Sequence, residues 1–361
     1  MLEDFKPNPD FTQVATALER KKPDRVPLAE AVPSRETMSR FLGKKVDKSD
    51  VKAHVEFWYK AGYDYIPLTV GMMEPGKVTQ DSAISRVIKD VLLKNRGERD
   101  QDDAWNLEKR AFIHDAGDFK IFPWEEAAKL DLSAFYEVQK YLPEGMKIIA
   151  LSGKIFTLTW MLMGFENFCL KLSLEPKLVQ KVFERVAEIQ FKALNEIVRI
   201  PNVAAVWAVD DLAFGGGPMI SPRDLRKYVF PWYKKFGKMC HDHNLYFLFH
   251  SDGVLWDLMD DLIDLGIDGL HPIDPTCMDI ERAKQEVGGK VCLIGNISNE
   301  ILMNGTPEEV AELTKHRIRT IAPGGGYCLG SGNSVPEWAK IENFKAMIET
   351  TLKYGHYPIT L

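Results

Sequence analysis

Cysteine is scarce in this chain of 361 residues: Cys169, Cys240, Cys277, Cys292 and Cys328 are the whole complement. The number is odd and no two stand as a CxxC pair, which excludes a disulfide framework and fits a reducing compartment, so a cytoplasmic protein is expected. Clustered positive charge is missing too. The longest basic runs are "ERKKPDR" and "FLGKKVDK" and the net charge is −6, so nucleic acid is not an expected partner. The opening "MLEDFKPNPDF" has no basic-then-apolar signal pattern, and the longest apolar stretch, around "IFTLTWMLMGF", is too short for a bilayer. Neither secretion nor a membrane anchor is expected. With no P-loop and no GxGxxG, nothing points to a nucleotide. Linkers, repeats and low-complexity tracts are also lacking, and residues 1–361 read as a single domain.

What the chain has is alternation. Eight short β-rich segments, "VPLAEAV", "YDYIPL", "KIIALS", "AAVWAVD", "LYFLFH", "DGLHPI", "KVCLIGN" and "YCLGSG", occur in order. Helical patterns separate the later ones: Val179, Val182, Phe183, Val186, Ile189, Ala193, Leu194 and Ile197 recur at helical spacing, as do Leu255, Leu258, Met259 and Leu262 before Gly266. Strands apolar on both faces and separated by helices predict a parallel sheet, and eight such units close into a (β/α)8 TIM-type barrel. The charge-rich residues 74–123 break this rhythm between the second and third strands and read as an insertion over one end of the barrel.

In such a barrel the carboxyl ends of the strands converge on one mouth, where chemistry is done. Glu30 ends the first strand and Lys154 follows the third. Asp210 and Asp211 end the fourth, His250 and Asp252 the fifth, His271 and Asp274 the sixth, Asn296 the seventh, and Ser331 and Asn333 the eighth. Turn formation alone needs fewer polar groups. Buried carboxylates gathered there must share protons, pair with a cation such as Lys154, or hold a metal. Glu30, Asp211, His250 and Asp252 offer oxygen and nitrogen ligands for zinc or another divalent ion acting as a Lewis acid. Without a metal, an acid or His250 protonates a leaving oxygen. A structural reading competes: Asp252, just ahead of "GVLWDL", is placed to cap a helix, and a strand-end histidine such as His271 is commonly a hydrogen-bonded part of the frame.

Other motifs are weaker. "HDH" at 241–243 precedes the fifth strand and falls at the opposite face of the barrel. "GGG" at 215–217 allows either close approach of a ligand or a flexible loop, "GGG" at 324–326 reads as a turn, and Cys328 reads as core. Aromatic and sulfur-bearing residues near the mouth, among them Met72, Met73, Trp207 and Phe214, suit an apolar or aromatic ligand.

The strings "SGKIFTLTWMLMG", "WAVDDLAFGGGPMISPRDLRKYVFPWYKKF", "FLFHSDGVLWDLMDDLIDLGIDGLHPIDP", "KVCLIGNIS" and "GGGYCLGSGNSVP" resemble the uroporphyrinogen decarboxylase superfamily from about residue 145 to the C-terminus, and less specifically from "DRVPL". The resemblance implies a (β/α)8 barrel and one of two chemistries, decarboxylation of tetrapyrrole acetates or methyl transfer to a corrinoid. The decarboxylases carry an arginine-rich "RQAGRY"-like motif after the first strand. Here that place reads "EAVPSRETM", with Arg35 alone, which leaves no paired guanidinium groups for a poly-carboxylate.

The chain is therefore closer in resemblance to the corrinoid-dependent methyltransferase branch. In its thiol-methylating members zinc is held by a His-x-Cys and a later Cys; His250 fits, but Asp252 and Asn333 stand in the cysteine places, so a thiolate-rich site is not expected. The resemblance implies a methyltransferase that moves a methyl group from a small methoxylated or methylated donor to a corrinoid (cobalamin) on a separate protein, since the chain has no DxHxxG corrinoid motif. The expected catalytic residues are His250, Asp211, Asp210 and Asn333. Lys154, Trp207, Phe214, Asn296 and His271 are expected to bind substrate, and His250, Asp252 and Glu30 a divalent metal such as zinc. A carboxy-lyase and a non-catalytic small-molecule binding barrel remain as alternatives.

Overall fold

The computed structural model describes residues 5–47, 49–69 and 111–361. Residues 74–110 of the insertion, with Met72 and Met73, lie outside the described residues. The strands are β1 (Tyr65–Leu68), β2 (Lys147–Ser152), β3 (Val203–Val209), a two-stranded hairpin β4 (Ala213–Phe214) and β5 (Gly217–Pro218), then β6 (Tyr246–His250), β7 (Gly269–His271), β8 (Cys292–Ile294) and β9 (Tyr327–Cys328). All but the hairpin form one parallel sheet in the order β1-β2-β3-β6-β7-β8-β9, with helices between successive members. Every neighbouring pair is parallel, as crossover helices require.

The predicted first strand is less regular than its sequence suggests. Residues 26–33 touch the sheet through isolated parallel bridges, Leu28 with Leu329 and Pro33 with Val335. Ala29 N–H donates to the Leu329 carbonyl at 2.8 Å and Leu329 N–H to that of Pro27 at 2.9 Å. Pro27 and Pro33 have no N–H to give a ladder. On the other side the Tyr65 hydroxyl takes both backbone groups of Glu30, accepting from its N–H and donating to its carbonyl at 2.8 Å each. A side chain thus closes the (β/α)8 barrel where backbone pairing would otherwise do so.

Period-two alternation decides which residues face inward. Ala29, Ala31, Tyr65, Ile149, Leu151, Ala205, Trp207, Leu248, Cys292, Ile294 and Cys328 pack together as the barrel interior. The residues between them, such as Ile148, Ala150, Val206, Ala208, Phe247 and Phe249, pack outward in the larger cluster that the helices complete. The helix Pro176–Ile197 buries Val179, Val182, Phe183, Val186, Ile189, Ala193, Leu194 and Ile197, the stripe expected from spacing. Cys328 is core, 1% exposed. Among the described residues no helix is long and apolar enough to cross a membrane.

Candidate active site

Three predicted residues meet at the mouth. Asp211, two residues beyond β3, His250, the last residue of β6, and Asp252, two residues further on, bring one ligand atom each within 4.8 Å of one another. His250 Nε2 lies 3.5 Å from Asp211 Oδ1 and 3.8 Å from Asp252 Oδ1. Both separations are too long for a hydrogen bond. Asp252 N–H donates to Asp211 Oδ1 at 3.0 Å, and Asn333 Nδ2 donates to Asp252 Oδ2 at 2.5 Å. That leaves Asp252 Oδ1 buried with no hydrogen-bond partner. The cluster is open to solvent on the Asp211 side, whose side chain is 49% exposed against 8% for His250.

The electrostatics follow from this partial burial. Desolvation first pushes the Asp252 carboxyl up to about 6, with Asp211 and Asp274 adding to the rise and His250 and Asn333 opposing it. On its other edge His250 Nδ1 meets His271 Nδ1 at 2.7 Å. His271 is wholly buried, and burial first, then the neighbouring His250, holds its imidazole well below the usual histidine range, so it stands neutral. Trp207 lies edge-on beneath His271, centroids 5.1 Å apart at 89°. Asp252 is not a helix cap: the turn that follows, Trp256–Leu258, has no side-chain cap.

The other predicted residues have different surroundings. Asp210 faces outward, in step with Val206 and Ala208. Its oxygens accept from Phe156 N–H at 2.7 Å, Thr157 N–H at 2.8 Å and the Tyr233 hydroxyl at 2.5 Å, so it fixes the start of helix Ile155–Met163 and is not part of the cluster. Glu30, assigned to a metal, is fully buried between the inward-facing Ala29 and Ala31, and its carboxyl oxygens meet Ser331 N–H at 2.6 Å and Ser331 Oγ at 2.5 Å. It does not join His250 in the ligand cluster. Asn333 touches Asp252 and so acts through it. Asn296 is buried, its amide donating to the Ile273 carbonyl at 2.8 Å, and Trp207 is 0% exposed in the barrel interior. Phe214, on the β4–β5 hairpin, is 58% exposed. Lys154 follows β2 in left-handed backbone, φ 50°.

Outside the mouth, His241 bonds Asp268 and His243 the Met239 carbonyl, at the amino end of β6. Gly215 and Gly216 make the hairpin turn, Gly217 starts β5, and Gly324, Gly325 and Gly326 take positive φ in the turn before β9. Tyr65 and Tyr233, which hold Glu30 and Asp210, were not singled out by the sequence. A strand tyrosine and a helix tyrosine are indistinguishable there from ordinary core.

Residues 113–354 match the family described as uroporphyrinogen decarboxylase (URO-D). The chain belongs to the uroporphyrinogen decarboxylase family. Among curated members of this family it is 24% identical over 242 residues to uroporphyrinogen decarboxylase of Mannheimia succiniciproducens, covering 64% of this chain and 66% of that one. It is 25% identical over 254 residues to uroporphyrinogen decarboxylase of Neisseria meningitidis serogroup C, covering 67% and 69%. The matches thus span about two thirds of these relatives. A solved methyltransferase from Methanosarcina mazei has the same fold with a TM-score of 0.67, at 17% identity over 95% of this chain and 98% of that one. The fold of this uroporphyrinogen decarboxylase family member thus extends over nearly the whole chain.

Proposed function

We propose that this protein is a methyltransferase that takes a methyl group from a small methoxylated or methylated compound and passes it to a corrinoid carried by a separate protein. The observation that carries this reading is the convergence of Asp211, His250 and Asp252 with no hydrogen bond between their side chains, and with Asp252 Oδ1 buried and orphaned. A nitrogen and two carboxylate oxygens suit zinc or a similar divalent ion, and three protein ligands leave a place for substrate. A cation bound there supplies a Lewis acid for an ether or hydroxyl oxygen. His250 offers Nε2 to the site while its Nδ1 is committed to the neutral His271, the outer partner that orients a ligating imidazole. Asn333 holds the other oxygen of Asp252 and so leaves Oδ1 facing the site.

Loss of an alkoxide or phenoxide leaving group needs negative charge neutralised at oxygen, the service such a site provides. Names of the curated relatives favour decarboxylation instead. Against it, residues 30–38 offer Arg35 alone, at the start of helix Arg35–Leu42. Incubation with a reduced corrinoid protein and a panel of methoxylated compounds is expected to give the absorbance of a methylated corrinoid, and metal analysis to find a divalent ion that His250→Ala loses. No methylation across the panel, with carbon dioxide released from a porphyrinogen, overturns the reading.

A further inference from the structure

Glu30 and Ser331 form a junction that neither the family nor the proposed chemistry explains. Ser331 Oγ lies within hydrogen-bonding distance of two oxygens, Glu30 Oε2 and the Asn333 carbonyl. A hydroxyl has one proton, so it can make a full two-centre hydrogen bond to only one of them. Both contacts are full hydrogen bonds when Glu30 carries a proton and donates it to Ser331 Oγ, which then donates to Asn333. Glu30 Oε1 meanwhile accepts from Ser331 N–H. Beyond this point Asn333 Oδ1 accepts from Ser334 N–H at 2.6 Å, and Asn333 Nδ2 donates to Asp252. Hydrogen bonds on either side of Asn333, one to its backbone and one from its side chain, thus link the barrel wall to the carboxylate at the mouth.

We infer that Glu30 is a neutral carboxylic acid that serves as a positioning residue: through Ser331 and Asn333 it fixes the loop after β9 and, with it, the orientation of Asp252. The surroundings agree. Glu30 is 0% exposed, and burial first, opposed by its bonds to Ser331, pushes its carboxyl up to about 8. The titratable groups that feel its charge are the hydroxyls of Tyr63 and Tyr65, both themselves buried and pushed upward. Val335 N–H, bonded to the Val32 carbonyl at 3.0 Å, ties the same loop to the same segment one step further along. Ionisation of Glu30 would turn the Ser331 hydroxyl back to the carboxylate and release Asn333.

Glutamine mimics the protonated acid, since its amide donates to Ser331 Oγ and its carbonyl accepts from Ser331 N–H. Three measurements test the inference. The infrared difference spectrum of wild type minus Glu30→Gln at neutral pH is expected to show the carbonyl stretch of a protonated carboxylic acid; its absence, with a carboxylate band instead, overturns the inference. Amide hydrogen exchange at Ser331 and Ser334 is expected to quicken in Glu30→Ala and in Ser331→Ala and to stay slow in Glu30→Gln; equal quickening in the glutamine variant overturns it. The third measurement rests on the metal reading above: zinc affinity of the full chain is expected to fall about tenfold or more in Glu30→Ala and Ser331→Ala and to be retained in Glu30→Gln, the scale at which outer partners act. A wild type that takes up no zinc counts against the metal reading, while the infrared and exchange results still decide for or against Glu30.

Discussion

Neighbouring residues of the same type separate here by direction. Asp210 and Asp211 are consecutive acids, yet alternation sends the first to the helix layer and the second to the mouth. Asp210 satisfies three buried donors, and burial pushes its carboxyl upward, against the pull of those bonds. Asp210→Ala leaves those donors unpaired and is expected to cost roughly 3 kcal/mol or more in urea unfolding, since each orphaned buried group costs about 1–3 kcal/mol. Asp211→Ala, half exposed, is expected to cost under ~1 kcal/mol, in the range of surface substitutions, while abolishing zinc uptake. Equal stability losses in the two variants would show that the alternation has been misread. Sequence spacing contains this distinction, because Trp207 and Val209 lead to Asp211 and Val206 and Ala208 to Asp210, but counting strand ends places both acids at the mouth. The pairing of Glu30 with Ser331 was not legible, being set by where residue 331 arrives from 301 positions away.

At the scale of elements, the mouth depends on loops that press together. The hairpin β4–β5 lies against the turn after β6: Val254 N–H donates to the Phe214 carbonyl at 3.0 Å, and a Cβ added to Gly253 would meet Phe214 N at 2.5 Å and the Ala213 carbonyl carbon at 2.6 Å. Gly253 also takes φ +87°, where side chains are strained. Gly253→Ala is therefore expected to destabilise by about 2 kcal/mol, through strain and a forced shift of the hairpin. Gly215→Ala, with nothing within 4 Å of the added carbon, is expected to fall within ~0.5 kcal/mol of wild type. Equilibrium unfolding of the two variants checks the contrast. The run of three glycines at 215–217 reads as a ligand approach or a flexible loop, whereas the demand for glycine at 253 depends on a contact between separate loops. The first strand shows the same division: "VPLAEAV" announces a strand, while its prolines and the Tyr65 hydroxyl decide that it pairs so sparsely.

For the whole molecule, buried acids set the pH dependence. The Glu30 carboxyl is raised from 4.5 to about 8 and that of Asp252 from 3.8 to about 6. Below the lower value of each pair the folded and unfolded chains are both protonated, so no difference arises. As pH rises through the interval, the unfolded chain releases a proton that the folded chain keeps, and stability falls until the upper value is passed. For Glu30 the limiting loss is on the order of 5 kcal/mol, at ~1.4 kcal/mol per unit. The urea midpoint of metal-free protein is accordingly expected to fall as pH rises from about 5 to about 8.5, and Glu30→Gln to flatten the upper part of that fall. A midpoint that rises over this range, or a glutamine variant with an unchanged slope, contradicts the assignment.

The sequence by itself determined the architecture, because the periods of its apolar residues admit only buried parallel strands alternating with helices, and strand ends in that architecture must share one mouth. It also determined that His250, Asp211 and Asp252 stand there, since all three follow from counting along two strands. The tertiary structure decided which polar residues belong to that mouth and which brace it. Hydrogen-bond partners such as Tyr233 for Asp210 and Ser331 for Glu30 come from distant segments, and no local pattern records a distance between residues that only closure of the barrel brings together.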